Sequence, residues 1–370
     1  MTRQRFGLFR LPPSPLAWLR RPRKAEATAV GGAAIALLIG VALGTAVAQQ
    51  GPPPAPAAPV PYFVGNRLGM PINPAADGKF EPMSDNVKVY GSVYSAESCS
   101  YDPDRKVIVV PNRGVGQNVR TNDAWITFLN HDGSVHTSRW VGVQNPGAQR
   151  DNMKPALLFN EPLGSDIVNG VLWLADRDGG TTPTEPTVSV IRSFDMKTGL
   201  PGRSVPVAKS TGFNDIEVAD DGTIYATQTG DAKDPATWQV WKITPDGTPS
   251  IFVQGAPLLQ PNGVAFDNQG NVVVVNIGTD DVITFNKEGK VILTEKAAQS
   301  GNDGIVVMRD GTKYVSSVVN GGVSRMRPKR PAELIARNIP NPASMCYDPD
   351  ANQLVIPMNA NNALAFIRLR

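Results

Sequence analysis

The sequence of 370 residues is poor in the side chains that bind soft metals, with only two His and two Cys. These numbers exclude a zinc finger, a multi-cysteine iron–sulfur site and a disulfide-rich scaffold. Beyond the first 28 residues there is no long run of Lys or Arg, which argues against general nucleic-acid binding. Any metal that this protein binds would therefore be held mainly by oxygen atoms.

The N-terminal residues have the pattern of an export signal. Seven basic residues and one acidic residue lie within residues 1–28, and an uncharged stretch then ends in Ala46-Val47-Ala48. A basic region, an apolar stretch and an A-x-A site predict a signal peptide over residues 1–48 or, if uncleaved, a membrane anchor. We therefore expect an exported protein, periplasmic or secreted, whose only membrane contact would be this segment. Without it, the net charge of +3 becomes about −3.

A β unit repeats through most of the remaining chain. The sequence GPPPAPAAPVP predicts an extended linker, and residues 49–85 contain it with an irregular lead-in. From residue 86 onward, short strand-like runs alternate with Asp-Gly and Asn-Gly turns. Equivalent positions of six copies fall at Glu97, Ser165, Asn214, Asn262, Asp303 and Ala343.

A repeat of about 40–50 residues with four short strands is typical of a propeller blade. We therefore predict an all-β fold, a six-bladed β-propeller over residues 86–370. The last copy has room for three strands, so a strand near Asn86–Val93 would complete it and close the ring. A long β-sandwich or a solenoid is the alternative.

Four of the six repeat positions carry a side-chain oxygen, namely Glu97, Asn214, Asn262 and Asp303. In a propeller the starts of the inner strands meet around the central channel, so these four side chains are candidate metal ligands. Ca²⁺ takes six to eight oxygen ligands and is the most suitable ion, while Mg²⁺, Mn²⁺ or Zn²⁺ is possible. The alternative is that each Asn and Asp caps a turn.

Three segments resemble the senescence-marker-protein/gluconolactonase/luciferin-regenerating-enzyme family: FNDIEVADDGTIYATQ, PNGVAFDNQGNVVVVN and NDGIVVMRDGTKYVSSVVNGGVSRM. The first also resembles the paraoxonases. The resemblance, which covers about residues 90–370, implies a calcium-dependent six-bladed propeller that hydrolyses lactones or related esters. It implies metal binding by Glu97, Asn262 and Asp303, with Asn214 near metal and substrate. The substrate-binding Arg of the family is missing before the FND motif, where Gly212 and its neighbours stand.

We therefore predict metal-assisted hydrolysis, in which Asp303 or Glu97 orients or deprotonates the attacking water. The ends of the second strands would line a pocket for a small-molecule substrate, at Asn112, Arg113, Arg177, Asp178, Gln228, Asn276, Asn320 and Asn359. Arg113 and Arg177 are candidates to hold a substrate carboxylate or phosphate, or are solvated loop charges. A non-catalytic propeller that binds a sugar, a peptide or a protein is the alternative function, and an envelope scaffold is a third.

The few His and Cys residues also allow specific expectations. Cys99 and Cys346 fall at neighbouring positions on the inner strands of the first and last blades, where an exported protein could form a disulfide. The usual separation of such strands favours two buried free thiols. His131 and His136 lie on one hairpin, where we expect both at the surface.

Overall fold

The computed structural model describes residues 83–114, 122–142, 156–180 and 184–370. The predicted signal peptide and most of the predicted linker lie outside these residues, so both stay predictions. In the part that is described, no helix is long and apolar enough to cross a membrane.

Six antiparallel sheets of four strands each make up the fold, which confirms the all-β, six-bladed propeller. Blade 1 consists of β2 (Ser100–Asp102), β3 (Val107–Asn112), β4 (Trp125–Leu129) and β5 (Val135–Gly142), and blade 2 of β6 (Ser165–Val168), β7 (Val171–Gly179), β8 (Thr187–Asp195) and β9 (Pro201–Val207). Blade 3 consists of β10 (Ile216–Val218), β11 (Ile224–Gln228), β12 (Gln239–Ile243) and β13 (Pro249–Gln254), and blade 4 of β14 (Pro261–Phe266), β15 (Val272–Asn276), β16 (Asp281–Phe285) and β17 (Val291–Lys296). Blade 5 consists of β18 (Asn302–Val307), β19 (Lys313–Ser317), β20 (Gly322–Met326) and β21 (Glu333–Ala336), and blade 6 of β22 (Cys346–Asp348), β23 (Gln353–Pro357), β24 (Leu364–Arg368) and β1 (Val87–Tyr90).

The second strand is buried at every position in five blades, whereas β7 of blade 2 is buried only in part. In β15, Val272 and Val274 pack in a cluster with side chains of blade 3, whereas Val273 and Val275 pack in a cluster with side chains of blade 5. Successive strand residues point to opposite faces, so only a strand covered on both sides is apolar at every position. The four consecutive valines therefore stabilise two blade interfaces at once.

The ring closes by pairing the first strand of the described chain with the last. β1 is antiparallel to β24, in register from Val87 opposite Ile367 to Tyr90 opposite Leu364. The predicted strand near residues 86–93 therefore supplies the outer strand of blade 6. This pairing holds together the two ends of the propeller, which are far apart in sequence.

The expectation of two free thiols is wrong, because Cys99 and Cys346 form a disulfide. Their Cα atoms are 5.5 Å apart, inside the range that a disulfide spans. The expectation rested on an average separation between inner strands, but these two strands converge at their starts, where the blades crowd around the channel. The disulfide is a covalent link between blades 1 and 6.

His131 also joins blades 1 and 6, at the opposite end of the strands from the disulfide. Its Nδ1 lies 2.9 Å from Oδ2 of the buried Asp348. Gln353 donates from Nε2 to the same carboxylate and to the backbone oxygen of His131, each at 2.7 Å. His131 is therefore half-buried and structural, whereas His136 is exposed, as expected, and contacts Thr137.

Candidate functional site

The starts of the inner strands come together at one end of the channel. Ser344 of blade 6 donates a hydrogen bond across the ring to Asp215 of blade 3 at 3.2 Å. Asn262 of blade 4 lies with Nδ2 3.4 Å from Oδ2 of Asp303 in blade 5. The charge of Asp303 also raises the pKa of Glu97 in blade 1. Five of the six blades thus bring polar side chains together at this point.

We call the equivalent position at the start of each inner strand the ring position, and the residue there the ring residue. In blade 2 the structure places Leu163, rather than Ser165, at the ring position. The backbone N–H of Leu163 donates to the second strand at 2.9 Å, as that of Asn214 does in blade 3 at 2.7 Å. The inner hairpin of blade 2 turns within residues 169–170, whereas that of blade 3 turns over residues 219–223. The ring residue is the one whose backbone pairs with the end of the second strand. A shorter hairpin between the two strands therefore shifts this residue away from the position that the spacing of the sequence repeat predicts.

Each of the four predicted metal ligands has one side-chain oxygen that is buried and lacks a hydrogen-bond partner among the described residues. These atoms are Oε2 of Glu97, Oδ1 of Asn214, Oδ1 of Asn262 and Oδ1 of Asp303. Buried polar atoms are nearly always paired, because an unmet buried acceptor costs about 1–3 kcal/mol. Four such acceptors at equivalent positions of four blades are oxygens of the kind that hard cations bind.

The carboxyl groups of the ring resist ionisation in the absence of a cation. Burial, together with the charges of Asp303 and Asp215, raises the pKa of Glu97 well above its usual range, and Arg113 and Arg177 oppose this rise. Burial and the Asp215 charge raise the pKa of Asp303 to about 8. Burial likewise raises the pKa of Asp215 to about 7. A bound divalent cation would favour the ionised forms of these groups.

The side chains of the ring suit a metal site of mixed carboxylate and amide oxygens rather than one built from several acidic residues or from His and Cys. Within residues 83–370, leaving aside the segments that are not described, no group of three or more His, Cys, Asp or Glu is arranged to hold a metal. The candidate ligands are two carboxylates and two amides, to which water or a substrate oxygen would be added. Ca²⁺ accepts such mixed oxygen sets.

Glycine follows the ring residue where the neighbouring blade comes closest. A Cβ on Gly263 would lie 2.3 Å from the backbone oxygen of Asp303. A Cβ on Gly304 would lie 2.5 Å from Cα of Ser344. The Asn-Gly and Asp-Gly pairs of the two motifs thus have a steric reason, since any side chain at the second position would push the blades apart.

Three of the predicted substrate-binding side chains, Asn112, Gln228 and Asn276, hold the loops that carry the ring residues. The side-chain oxygen of each accepts a hydrogen bond from a backbone N–H in the same blade, at 2.7, 3.2 and 2.9 Å respectively. In each case the donor stands three residues before the ring residue of that blade. Their amide nitrogens donate to backbone oxygens nearby. All three are buried, so the structure gives them a positioning role, and a contact with substrate stays a prediction.

Hydroxyl groups connect ring residues of neighbouring blades, a feature that the sequence analysis missed. Thr227 of blade 3 donates to the backbone oxygen of Asn262 in blade 4, and its Oγ1 accepts from the N–H of Asp215 at 3.1 Å. Ser316 of blade 5 donates to the backbone oxygen of Ala343 at 2.8 Å. These hydroxyls stand at the same repeat position on β11 and β19, which a comparison of the copies could have revealed.

Two arginines and a glutamate lie beside the ring. The guanidinium of Arg113 is buried, and the charges of Glu97, Glu161 and Asp303 act on it. Nη1 of Arg177 lies 3.6 Å from Oε2 of Glu161. Glu161 was not predicted from the sequence, because it stands two residues before Leu163, and the equivalent position carries no acidic side chain in the other copies.

Arg177 contacts Gly212, the residue just before Phe213 of the FND motif. A Cβ on Gly212 would lie 3.0 Å from Nε of Arg177, and Nη2 donates to the backbone oxygen of Phe213 at 3.4 Å. Gly212 stands in the stretch where the resembled family carries its substrate-binding Arg. The guanidinium of blade 2 therefore occupies space that a side chain at this position would need.

The remaining predicted pocket residues differ in position. Asn359 accepts a hydrogen bond from Arg113 and so borders the ring. Asp178 pairs with Arg192 within blade 2. Asn320 is exposed and donates to the backbone oxygen of Ser300 at 2.8 Å. Asn359 is thus linked through Arg113 to the carboxylates of the ring.

Comparisons with known proteins agree with this architecture. A structural-genomics target described as a gluconolactonase is 17% identical, with a TM-score of 0.50 over 77% of this chain and 93% of that one. The virginiamycin B lyase of Staphylococcus aureus is 12% identical, with a TM-score of 0.52 over 78% and 100% of the two chains. A gluconolactonase of Xanthomonas campestris is 17% identical over 82% and 95%, with a TM-score of 0.48. At these identities the likeness concerns the fold.

No protein of curated function matches the sequence significantly. Residues 169–358 match the profile of the family described as the SMP-30/gluconolactonase/LRE-like region. The matched residues are just over half of the chain and include three of the four candidate ligands. The chain therefore belongs to the SMP-30/gluconolactonase/LRE-like family.

Proposed function

We propose that this protein is a metal-dependent hydrolase that opens a lactone or cleaves a related ester. The observation that carries the proposal is the ring of four buried, unpartnered oxygens in a member of this family. Ca²⁺ is the proposed ion, because the donor set is made of carboxylate and amide oxygens. A small-molecule substrate is consistent with the family.

Asp303 is the proposed general base. A bound cation would polarise the substrate carbonyl and stabilise the negative charge that develops on its oxygen. Asp303 accepts a proton from water while the water oxygen bonds to the carbonyl carbon. The same proton then passes to the departing ester oxygen as its bond to carbon breaks, so water is added across the ester and the carboxylate is regenerated. Glu97, which lies close enough to Asp303 for the two carboxyl groups to interact, orients the same water.

The scarcity of His favours hydrolysis over a His-dependent elimination. One structural neighbour is a virginiamycin B lyase described as catalytically inactive after replacement of a His. This chain has two His, at 131 and 136. Both lie on the hairpin of blade 1, and His131 is bound to Asp348 at the end of the strands opposite the ring.

Lactone and aryl-ester turnover measured after chelation and metal addition tests the proposal. We expect Ca²⁺ to restore hydrolysis of at least one aldonolactone, γ-lactone or 4-nitrophenyl ester, with a product heavier than a lactone by one water. Asp303→Asn should lose about 100-fold or more in rate, whereas Asp281→Asn, on the outer part of blade 4, should retain it. Thermal stabilisation by Ca²⁺ without any turnover would instead support a binding propeller.

We further infer that the protein works outside the cytoplasm. The pattern of residues 1–48 and the presence of a disulfide both support export. Cell fractionation with an antibody to the propeller tests this, and recovery of the full-length chain from the cytoplasm would contradict it.

A further inference from the structure

Arg113 is a buried cation whose hydrogen-bond partners are all neutral. Its side chain is fully buried, and Nη1 donates to Oγ of Ser95 at 3.3 Å and to Oδ1 of Asn359 at 3.2 Å. Nε and Nη2 are buried and have no hydrogen-bond partner in the described part of the chain. These two nitrogens form one edge of the guanidinium, so a complete donor pair is unused.

The other arginines buried in this region differ from Arg113 in this respect. Arg192, the second fully buried arginine of the described residues, forms ion pairs with Asp176 and Asp178. Arg177 lies near Glu161 and is 14% exposed. Their charges are therefore balanced by carboxylates of their own blade. Leaving a buried guanidinium without such a partner is costly, which indicates that a ligand completes the site of Arg113.

The carboxylates that act on Arg113 have other roles in the loaded site. They are Glu97, Asp303 and Glu161. The first two are candidate ligands of the cation, which would balance their charges, and the third lies near Arg177. A cation in the ring would therefore leave Arg113 without a counter-charge.

We propose that Arg113 binds a carboxylate of the substrate through Nε and Nη2, so that the lactone or ester opened at the ring carries an anionic group. This inference rests on the proposed function. Two parallel N–H donors on one edge match the two oxygens of a carboxylate. A phosphate, with three acceptor oxygens and a larger charge, would need more donors than this edge supplies. Binding of the carboxylate depends on the cation, because only then does Arg113 lack a counter-charge.

A binding experiment with an uncleavable probe tests the inference without requiring turnover. Pyroglutamate is a lactam that carries a carboxylate, and pyroglutamide is its neutral counterpart. By calorimetry on the Ca²⁺-loaded protein, we expect pyroglutamate to bind about 10-fold or more tightly than pyroglutamide. Arg113→Met should abolish the difference, Arg113→Lys should reduce it, and Arg325→Gln on blade 5 should leave it unchanged. Thermal unfolding would confirm that each variant is folded.

A kinetic experiment separates failure of the inference from failure of the proposed function. The substrates are the γ-lactone with a carboxylate beside the ring oxygen and the same lactone as its primary amide. We expect kcat/KM to be about 10-fold or more higher for the carboxylate, and equal for the two in Arg113→Met. Selective pyroglutamate binding without turnover supports the anion site and refutes the hydrolase. Turnover with equal kcat/KM for both lactones, or pyroglutamate binding that Arg113→Met does not weaken, overturns the inference.

Discussion

Gly304 lets two inner strands approach at the ring, so its replacement should be costly. All three atoms that a Cβ there would meet within 3.0 Å belong to the backbone of residues 343–345, which cannot turn away. We expect Gly304→Ala to lower the free energy of unfolding by about 1–3 kcal/mol and to weaken Ca²⁺ binding. Gly91→Ala is the matched control, because a Cβ there meets nothing within 4 Å. Equal urea midpoints for the two variants would show that the close approach is unimportant.

The hydroxyl of Thr227 positions Asn262 from the neighbouring blade. Thr227→Val keeps the shape but leaves the backbone oxygen of Asn262 and the N–H of Asp215 with one partner fewer. We expect a loss of about 1–3 kcal/mol in stability and a weaker affinity for Ca²⁺. Thr227→Ser, which keeps the hydroxyl, should retain the Ca²⁺ affinity. Similar affinities for the Val and Ser variants would exclude the positioning role.

At the residue scale, the sequence predicted which side chains occupy equivalent positions in the blades, but not which groups each of them hydrogen-bonds. The copies predicted that Asn262 and Asp303 lie at neighbouring strand starts, where the structure brings the two side chains within 3.4 Å, and their role as metal ligands stays a prediction. The same logic placed Asn112 and Asn276 near the ring, yet their amides are occupied by backbone groups. Hydrogen-bond partners depend on rotamers and on the neighbouring loop, which the repeat pattern does not contain. Glu161 was missed because the equivalent position in the other blades, such as Gly212 in blade 3, carries no acidic side chain.

Among the elements, the disulfide between β22 and the residue before β2 should contribute strongly to stability. The cysteines are 247 residues apart in sequence. Closing so long a loop in the unfolded chain gives a stabilisation of about 5 kcal/mol in the chain-entropy account. We expect Cys99→Ser with Cys346→Ser to lower Tm markedly, and reduction to do the same in wild type. The double variant should show no further effect of the reductant.

A thiol titration provides a direct check on the same element. Unfolded, unreduced wild-type protein should expose no free thiol, since the described residues hold both cysteines in the disulfide. Two titratable thiols per chain would contradict the link between the blades.

At the element scale, the strand count and the closure of the ring were predictable, but two local features were not. The last copy lacked a fourth strand, and β1 supplies it by pairing with β24, which gives blade 6 the same four strands as the other blades. The register of blade 2 was missed because its inner hairpin has a tighter turn. The disulfide was not expected because the distance between the starts of two inner strands depends on how the blades pack around the channel, which the sequence does not show.

For the whole molecule, the buried carboxyls predict that the metal-free protein loses stability as the pH rises. Burial raises the pKa of Asp166 to about 6, of Asp215 to about 7 and of Asp303 to about 8. The folded state therefore holds more protons than the unfolded state above pH 4, and each extra proton lowers stability by about 1.4 kcal/mol per pH unit. We expect the urea concentration at the unfolding midpoint, measured in chelator, to decrease as the pH is raised from 5 to 8.

Ca²⁺ should reduce this pH dependence, because a cation favours the ionised forms of Glu97 and Asp303. Asp166→Asn, which removes a channel carboxyl away from the candidate ligands, should reduce the slope in chelator near pH 5–6. A midpoint that is constant or rises with pH in chelator would contradict the proposed state of these groups.

The central claim is that four blades jointly bind one divalent cation, and a calorimetric Ca²⁺ titration of the chelated protein tests it most directly. We predict one ion per chain, with affinity lowered at least about 10-fold in Glu97→Gln and in Asp303→Asn, where a charged ligand is lost. Asp281→Asn, outside the ring, should bind as the wild type does. Absence of Ca²⁺ binding, or equal affinity in all four proteins, would contradict the account.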